Sequence, residues 1–181
     1  MILSDSELVE MLREPRTRRE GFAVLVKQYS EKLYWKVRRI VLSHEDANDV
    51  LQNVFIKVWS NLQNFQGKSS LSTWLYRIAV NESLDFLRKQ KLADKVSTDE
   101  DDSVASRLMS DEYFDGDEVQ TRLQEAVARL PEVQRTVFSL KYFEEMKYSE
   151  ISQILNTSEG ALKASYHLAV KKITEYLHLF D

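Results

Sequence analysis

The residue types between positions 67 and 89 are suited to binding an unpaired nucleotide. A polar loop with one glycine precedes a helical pattern whose wetter side is aromatic, basic and amide-bearing, and the candidate residues are Gly67, Lys68, Ser69, Ser70, Tyr76, Arg77, Asn81, Arg88 and Lys89. An aromatic ring can stack on a flipped base while a nearby cation neutralises its phosphate, each stack contributing about 1–3 kcal/mol. The alternative is that Tyr76 and Trp74 pack in the core and Arg77 serves an ion pair. We assign Trp74 to the core in either case.

A second set of candidate residues opens the last helical pattern. A short helix with Ser149 as its cap, a turn at Asn156 and a longer helix capped by Ser158 predict a helix-turn-helix. The N-terminal residues of such a helix meet base edges in the major groove, and here they are Ser158, Glu159, Gly160, Ala161, Lys163, Ala164, His167 and Lys171. The cation of Lys163 suits guanine or phosphate, and a small Ala side chain suits the thymine methyl group. The alternative is an ordinary solvated helix face.

Catalytic chemistry finds no support in the sequence. The three histidines, His44, His167 and His178, lie far apart, and cysteine is absent. Metalloprotease, phosphate-loop and serine-hydrolase motifs are also missing. We therefore expect no enzyme activity, no metal, no cofactor and no small-molecule substrate.

Helical spacing of apolar residues predicts the elements that hold these candidates. Two helices are expected over 22–29 and 33–41, a third whose inward stripe runs from Val50 through Trp59 to Leu62, and a fourth over 71–90. After residue 118 one helix reaches Leu130, and a second starts at Pro131 with Val133 facing inward. The last helix buries Leu162, Tyr166, Ala169, Ile173, Tyr176 and Leu177. Only four Gly and two Pro occur, which further favours long helices.

The charges divide the chain. The formal net charge is −4, yet residues 1–91 hold 15 basic against 11 acidic residues, whereas residues 92–118 hold ten acidic and two basic ones. The latter segment lacks apolar periodicity, which predicts an acidic flexible linker. The predicted organisation is thus all-α, with small helical domains at 1–91 and 119–181 and a linker at 92–118.

The sequence gives no sign of export or of a membrane span. No apolar run approaches the roughly 18 residues that a span requires, and the first ten residues are acidic where a signal peptide would be basic. We expect a cytoplasmic protein that does not insert directly into a membrane.

Two stretches resemble a known family. D-A-N-D-V-L-Q-N-V-F-I-K-V-W from Asp46 and F-Q-G-K-S-S-L-S-T-W-L-Y-R-I-A-V-N from Phe65 resemble the first conserved domain of bacterial sigma factors of the extracytoplasmic-function (ECF) group. L-P-E-V-Q-R-T-V-F from Leu130 and Y-S-E-I-S-Q-I-L-N-T-S-E-G-A-L-K-A-S-Y-H from Tyr148 resemble that group's C-terminal promoter-binding domain. The two motifs occur in the family's order.

The resemblance implies a subunit that binds core RNA polymerase, directs it to promoter DNA and opens the duplex. It implies that the polymerase-docking helix carries Asp46, Asp49, Gln52, Asn53 and Lys57. It further implies that the loop and helix face after Gly67 capture the −10 element and that the last helix reads the −35 element as duplex. An anti-sigma factor is expected as a further partner.

This chain departs from the family pattern at two places. Asn156 stands where the family commonly has Gly at the turn, and Asn tolerates the left-handed conformation that such a turn requires. The recognition helix has Ala161 and Ala164 where the usual motif has hydroxyl residues, and Ser165 where it has a basic residue, which implies a shifted promoter sequence or a weaker duplex grip.

Two other functions remain open on sequence grounds. A helix-turn-helix regulator would bind duplex operator without polymerase, and a two-domain helical adaptor would show no salt-dependent binding to nucleic acid.

Overall fold

The computed structural model describes residues 2–93 and 117–180, and every described regular element is helical. Four helices precede the gap: α1 Asp5–Arg13, α2 Arg18–Val41, α3 His44–Asn61 and α4 Leu71–Ala93, with a 3-10 turn at Leu62–Asn64. Four follow it: α5 Glu118–Ala128, α6 Glu132–Phe138, α7 Tyr148–Leu155 and α8 Glu159–Leu177. The predicted all-α class with two helical domains is confirmed. The acidic segment 92–118 lies almost wholly outside the described residues.

The first domain has four helices, but the predicted division of its first half is wrong. The patterns over 22–29 and 33–41 belong to one 24-residue helix, α2, because Ser30, Glu31 and Lys32 between them include no residue that breaks a helix. This long helix ends at Leu42, which adopts a left-handed conformation (φ 69°).

Helix α1 was not predicted. Ser4 and Glu7 form a capping box, in which the Ser4 Oγ accepts from the Glu7 amide at 3.3 Å and the Ser4 amide donates to Glu7 Oε2 at 2.8 Å. The buried side chains of Leu8 and Leu12 then hold the helix against the domain.

The second domain contains the predicted helix-turn-helix, formed by α7 and α8. Helix α6 continues directly into a π-helical turn over Ser139–Phe143. This turn is the last part of the helical segment that begins after Pro131. The side chain of Val133, expected to face inward, is 61% exposed. The inward stripe of α8 is confirmed: Leu162, Ala169 and Ile173 are buried, and Tyr166, Tyr176 and Leu177 are half-buried.

The two domains are in contact along a shared apolar cluster. Leu33 and Val37 of α2 belong to the same buried cluster as Val137 of α6 and Ile151 of α7. A second cluster, lying within the C-terminal domain, joins α5, α6 and α8 through Val127, Phe138, Ala169 and other residues. The structure thus shows the domains packed together.

Within residues 2–93 and 117–180, no helix has the length and apolar content that crossing a membrane requires.

Candidate nucleic-acid interface

The predicted recognition residues share one exposed face of α8. Ser158 caps the helix, its Oγ accepting from the Ala161 amide at 3.3 Å. The side chains that follow are solvent-exposed at each predicted position: Glu159, Gly160, Ala161, Lys163, Ala164, His167 and Lys171. Lys163 and His167 are one helical turn apart, and Lys171 follows one turn later. This arrangement leaves the face open to solvent along the N-terminal part of α8.

The turn before α8 adopts the conformation expected of Asn156. Its φ of 51° and ψ of 46° are left-handed, and its amide donates to the Ser152 carbonyl, which closes α7. The Asn at this position therefore supports the same sharp helix-turn-helix that Gly would. The ammonium of Lys163 lies 5.6 Å from the ring centroid of Tyr148, at the start of α7.

The loop 67–70 presents its polar groups at the start of α4. Gly67 has a φ of +70°, and the Ser70 Oγ caps α4 by accepting from the Thr73 amide at 3.1 Å. Lys68 is exposed within this loop, and Asn81, Arg88 and Lys89 are exposed along α4. Arg88 is paired on the surface with Asp85 at 2.9 Å. These exposed groups form an open polar strip.

Tyr76 is covered by a side chain of its own domain, whereas Arg77 lies at the contact between the domains. The Lys36 ammonium stands over the Tyr76 ring, 3.9 Å from its centroid, and burial raises the pKa of the Tyr76 phenol. Arg77 approaches Gln153 of α7, with Nη2 3.5 Å from Oε1. The predicted single-strand face is therefore only partly accessible in this arrangement. Trp74 is half-buried and packs against the core cluster, with its ring centroid 5.0 Å from that of Phe65.

The predicted docking residues of α3 line a polar face. Asp49, Gln52, Asn53 and Lys57 are exposed, and Asp46 is half-buried near the N-terminus of the helix. Lys57 also forms an ion pair with Glu82 of α4, and this hydrogen bond raises the pKa of Lys57.

Two apolar side chains on the same helix were not predicted to be exposed. Ile56 is 63% exposed, and Trp59, expected to face inward, is 45% exposed with its ring 4.9 Å from that of Phe22. Ile56 lies one turn beyond Gln52 and Asn53, and Trp59 lies one turn beyond Ile56, which makes the α3 face amphipathic. An exposed apolar pair with polar neighbours is typical of a protein-docking surface.

A cation pair on α2 was also missed by the sequence reasoning. Lys36 and Arg39 both contact the carboxylate of Glu144, which follows the π-helical turn of the second domain; Arg39 Nη1 donates to Glu144 Oε1 at 2.9 Å. The Arg39 guanidinium also lies 4.4 Å from the Phe143 ring centroid. Burial lowers the pKa of Lys36 to about 8, and the nearby cations Arg39 and Lys32 act in the same direction. The sequence signal for this cation pair was the one-turn spacing of Lys36 and Arg39.

Across the two described stretches, no group of three or more His, Asp or Glu side chains is placed to hold a metal ion.

Family models match both halves of the chain. Sigma-70 region 2 matches residues 25–93, which contain most of the first domain, and Sigma-70 region 4 matches residues 120–173, which contain the helix-turn-helix.

Several curated proteins are similar over most of their length. The ECF RNA polymerase sigma factor SigW of Bacillus subtilis is 33% identical over 157 residues, covering 82% of this chain and 84% of the relative. The RNA polymerase sigma-H factor of Pseudomonas aeruginosa is 32% identical over 182 residues, covering 96% and 93%.

Solved structures share the fold. The sigma factor RpoE of Bartonella quintana, in complex with the anti-sigma factor NepR, has a TM-score of 0.68 at 21% identity and covers 88% of this chain and 98% of its own. CnrH in complex with the cytosolic domain of CnrY has a TM-score of 0.66 at 20% identity and covers 98% and 99%.

Proposed function

This chain belongs to the ECF group of bacterial sigma factors, and from that membership we propose how its two domains divide the work of promoter-specific transcription initiation with RNA polymerase. The domains at 1–91 and 119–181 bind promoter DNA at separate elements, and the acidic segment 92–118 connects them. The first domain also docks on core polymerase. The cationic and aromatic side chains of both domains supply binding contacts. The polymerase carries out RNA synthesis.

The α8 face is proposed to read the −35 element as duplex. Its N-terminal part carries the exposed Lys163 cation, which suits base edges and phosphates in a major groove. Ala161 and Ala164 offer methyl groups in place of donors, so this face recognises fewer hydrogen-bonding positions than a hydroxyl-bearing helix would. The exposed, capped face of α8 is the single observation that supports duplex recognition best.

The loop 67–70 and α4 are proposed to hold the melted −10 element. Tyr76 supplies the stacking ring, Asn81 an amide for a base edge, and Arg88 and Lys89 the cations for phosphates. Melting follows because a base held outside the stack is withdrawn from the duplex equilibrium, at a cost of a few kcal/mol for unstacking. The Lys36 ammonium covers the Tyr76 ring and is paired with Glu144 of the second domain, so the domains are proposed to separate before this capture.

The α3 face is proposed to dock on core polymerase. Asp49, Gln52 and Asn53 supply the polar contacts, and Ile56 with Trp59 supplies apolar area that gains free energy on burial. An anti-sigma partner is proposed as well, since RpoE of Bartonella quintana was solved with one.

Run-off transcription tests the proposal. Core RNA polymerase lacking any sigma factor is mixed with the purified chain and fragments of genomic DNA, and transcript starts are mapped. We expect discrete starts that require both proteins. Binding of the chain alone to specific duplex sites, without association with polymerase, would instead indicate a helix-turn-helix regulator. If neither occurs with cognate polymerase, a helical adaptor is the better account.

A further inference from the structure

Resting on the proposed function, we infer that Lys36 and Arg39 form a binding site for a phosphate of single-stranded DNA, and that the Glu144 carboxylate occupies this site while the domains are packed together. The carboxylate is thus an internal competitor for the DNA phosphate.

The geometry of the site is that of an anion pocket. Two cations from adjacent turns of α2 converge on the one carboxylate, and the side chains of Lys36 and Glu144 are 9% and 13% exposed. Charged groups taken so far from water are stable only when compensated by an opposite charge. Burial and the neighbouring cations lower the pKa of Lys36 because they disfavour its charged form. A nearby anion offsets this effect, which agrees with an anion-binding site. When Glu144 moves away, the two cations lack an anionic partner, and a phosphate can take its place.

The neighbours of the site identify the anion as part of a nucleic acid. The Lys36 ammonium lies over the ring of Tyr76, the residue proposed to stack on the flipped base. A base that stacks on Tyr76 displaces the Lys36 ammonium from the ring face, and this cation can then pair with a phosphate of the same strand. The site therefore extends the single-strand face from α4 onto α2.

The packed arrangement leaves DNA-binding groups imperfectly satisfied. The Nε atoms of Arg39 and Arg77 are buried, and among the described residues neither has a hydrogen-bond acceptor. Each such donor costs free energy relative to a state in which it is paired. Arg39 contacts Glu144 and Arg77 contacts Gln153, both across the domains, so opening the domains towards DNA provides acceptors that the packed state lacks.

Fluorescence anisotropy with a labelled 12-nucleotide single-stranded DNA tests the site in the full chain at low salt. Glu144→Gln removes the competitor, and we expect affinity to rise about fivefold or more, the effect of losing a charge-assisted contact. The matched control is Glu145→Gln, which removes the same charge one residue away and is expected to change affinity less than about twofold.

Substitution of Arg39 distinguishes a DNA-binding site from a contact that only holds the domains together. If Arg39 only held the domains together, Arg39→Gln alone would raise affinity as Glu144→Gln does. If Arg39 binds phosphate, the single variant gains nothing, and adding it to Glu144→Gln reverses the gain and lowers the salt slope by about 0.7. Lys27→Gln in the Glu144→Gln background is the matched control in α2, and Arg39→Lys should keep part of the gain.

These outcomes are independent of the sigma activity itself. Unchanged DNA affinity in Glu144→Gln, or no loss on adding Arg39→Gln, would overturn the inference even when run-off transcription with core polymerase succeeds. Failure of the wild-type chain in that transcription would instead reject the proposed function.

Discussion

Arg135 of α6 donates from Nη2 to the carbonyl of Ile40, near the end of α2, at 3.2 Å, and thereby joins the two domains. The same guanidinium donates from Nη1 to Leu130, also at 3.2 Å, and burial lowers the pKa of Arg135. One side chain therefore satisfies two carbonyls, one at the end of a helix in each domain. The domain contact depends on directed hydrogen bonds as well as on apolar packing.

Substitution of this arginine should weaken the packed state. We expect Arg135→Ala to lower the free energy of unfolding by about 1–3 kcal/mol, because two buried carbonyls lose their donor. Urea denaturation followed by circular dichroism measures the change. Arg122→Ala, which removes an exposed pair with Glu118, should change it by less than about 0.5 kcal/mol. Equal effects of the two variants would contradict the importance of the Arg135 bridge.

Two glycines should respond to alanine in opposite directions. A Cβ on Gly21 would lie 2.8 Å from Met11 Cβ, so Gly21→Ala must displace α1 and should destabilise the protein by about 1–3 kcal/mol. No described atom lies within 4 Å of the corresponding position on Gly160, and Gly160→Ala should stabilise by about 0.4–1 kcal/mol. Thermal melts of both variants check the prediction, which fails if Gly21→Ala melts at or above the wild-type temperature.

The apolar part of the α3 face should be needed for polymerase binding. We expect Ile56→Ser to weaken binding to core polymerase about tenfold, since an apolar anchor is lost from an interface that excludes water. Binding is measured by titrating labelled protein with core polymerase. Val133→Ser removes an equally exposed apolar side chain from α6 and should leave the affinity within about twofold. Similar losses for both would show that the α3 face is not the docking surface.

The two sides of α8 should differ in their response to salt. We expect Lys163→Gln to reduce the slope of log affinity against log salt by about 0.9 for binding of polymerase holoenzyme to duplex −35 DNA, because one phosphate or base contact is lost. Lys172→Gln removes the same charge from the opposite side of the helix and should leave the slope unchanged. A slope that falls only for Lys172→Gln would place the DNA on the other side of α8.

Helical periodicity predicted the fold class and the recognition helix well, since one side of α8 is buried and the other is exposed. It failed at residues 30–32, because two helices were predicted on either side of a stretch that contains no helix-breaking residue. It missed α1, whose signal was the Ser4 and Glu7 capping box before Leu8. Both errors concern helix-breaking and helix-capping residues, which a search for apolar stripes does not detect.

The position of Tyr76 depended on information that no local pattern carries. Its type and spacing predicted a stacking residue, yet its ring is covered by Lys36, which approaches from another helix. Trp59 illustrates the same limit, because helical spacing placed it on the inward side of α3, whereas the structure leaves it 45% exposed. Contacts between elements decide which members of an amphipathic helix reach solvent.

Permanganate mapping of unpaired thymines in promoter DNA tests the central claim most directly. Core polymerase with the wild-type chain should produce a short reactive region upstream of each transcript start, and Tyr76→Ala should lose this reactivity while duplex binding through α8 persists. Tyr76→Phe keeps the stacking ring and should retain the reactivity. Melting that is equally strong with Tyr76→Ala would contradict the assigned role of α4, and the absence of any chain-dependent melting would contradict the account as a whole.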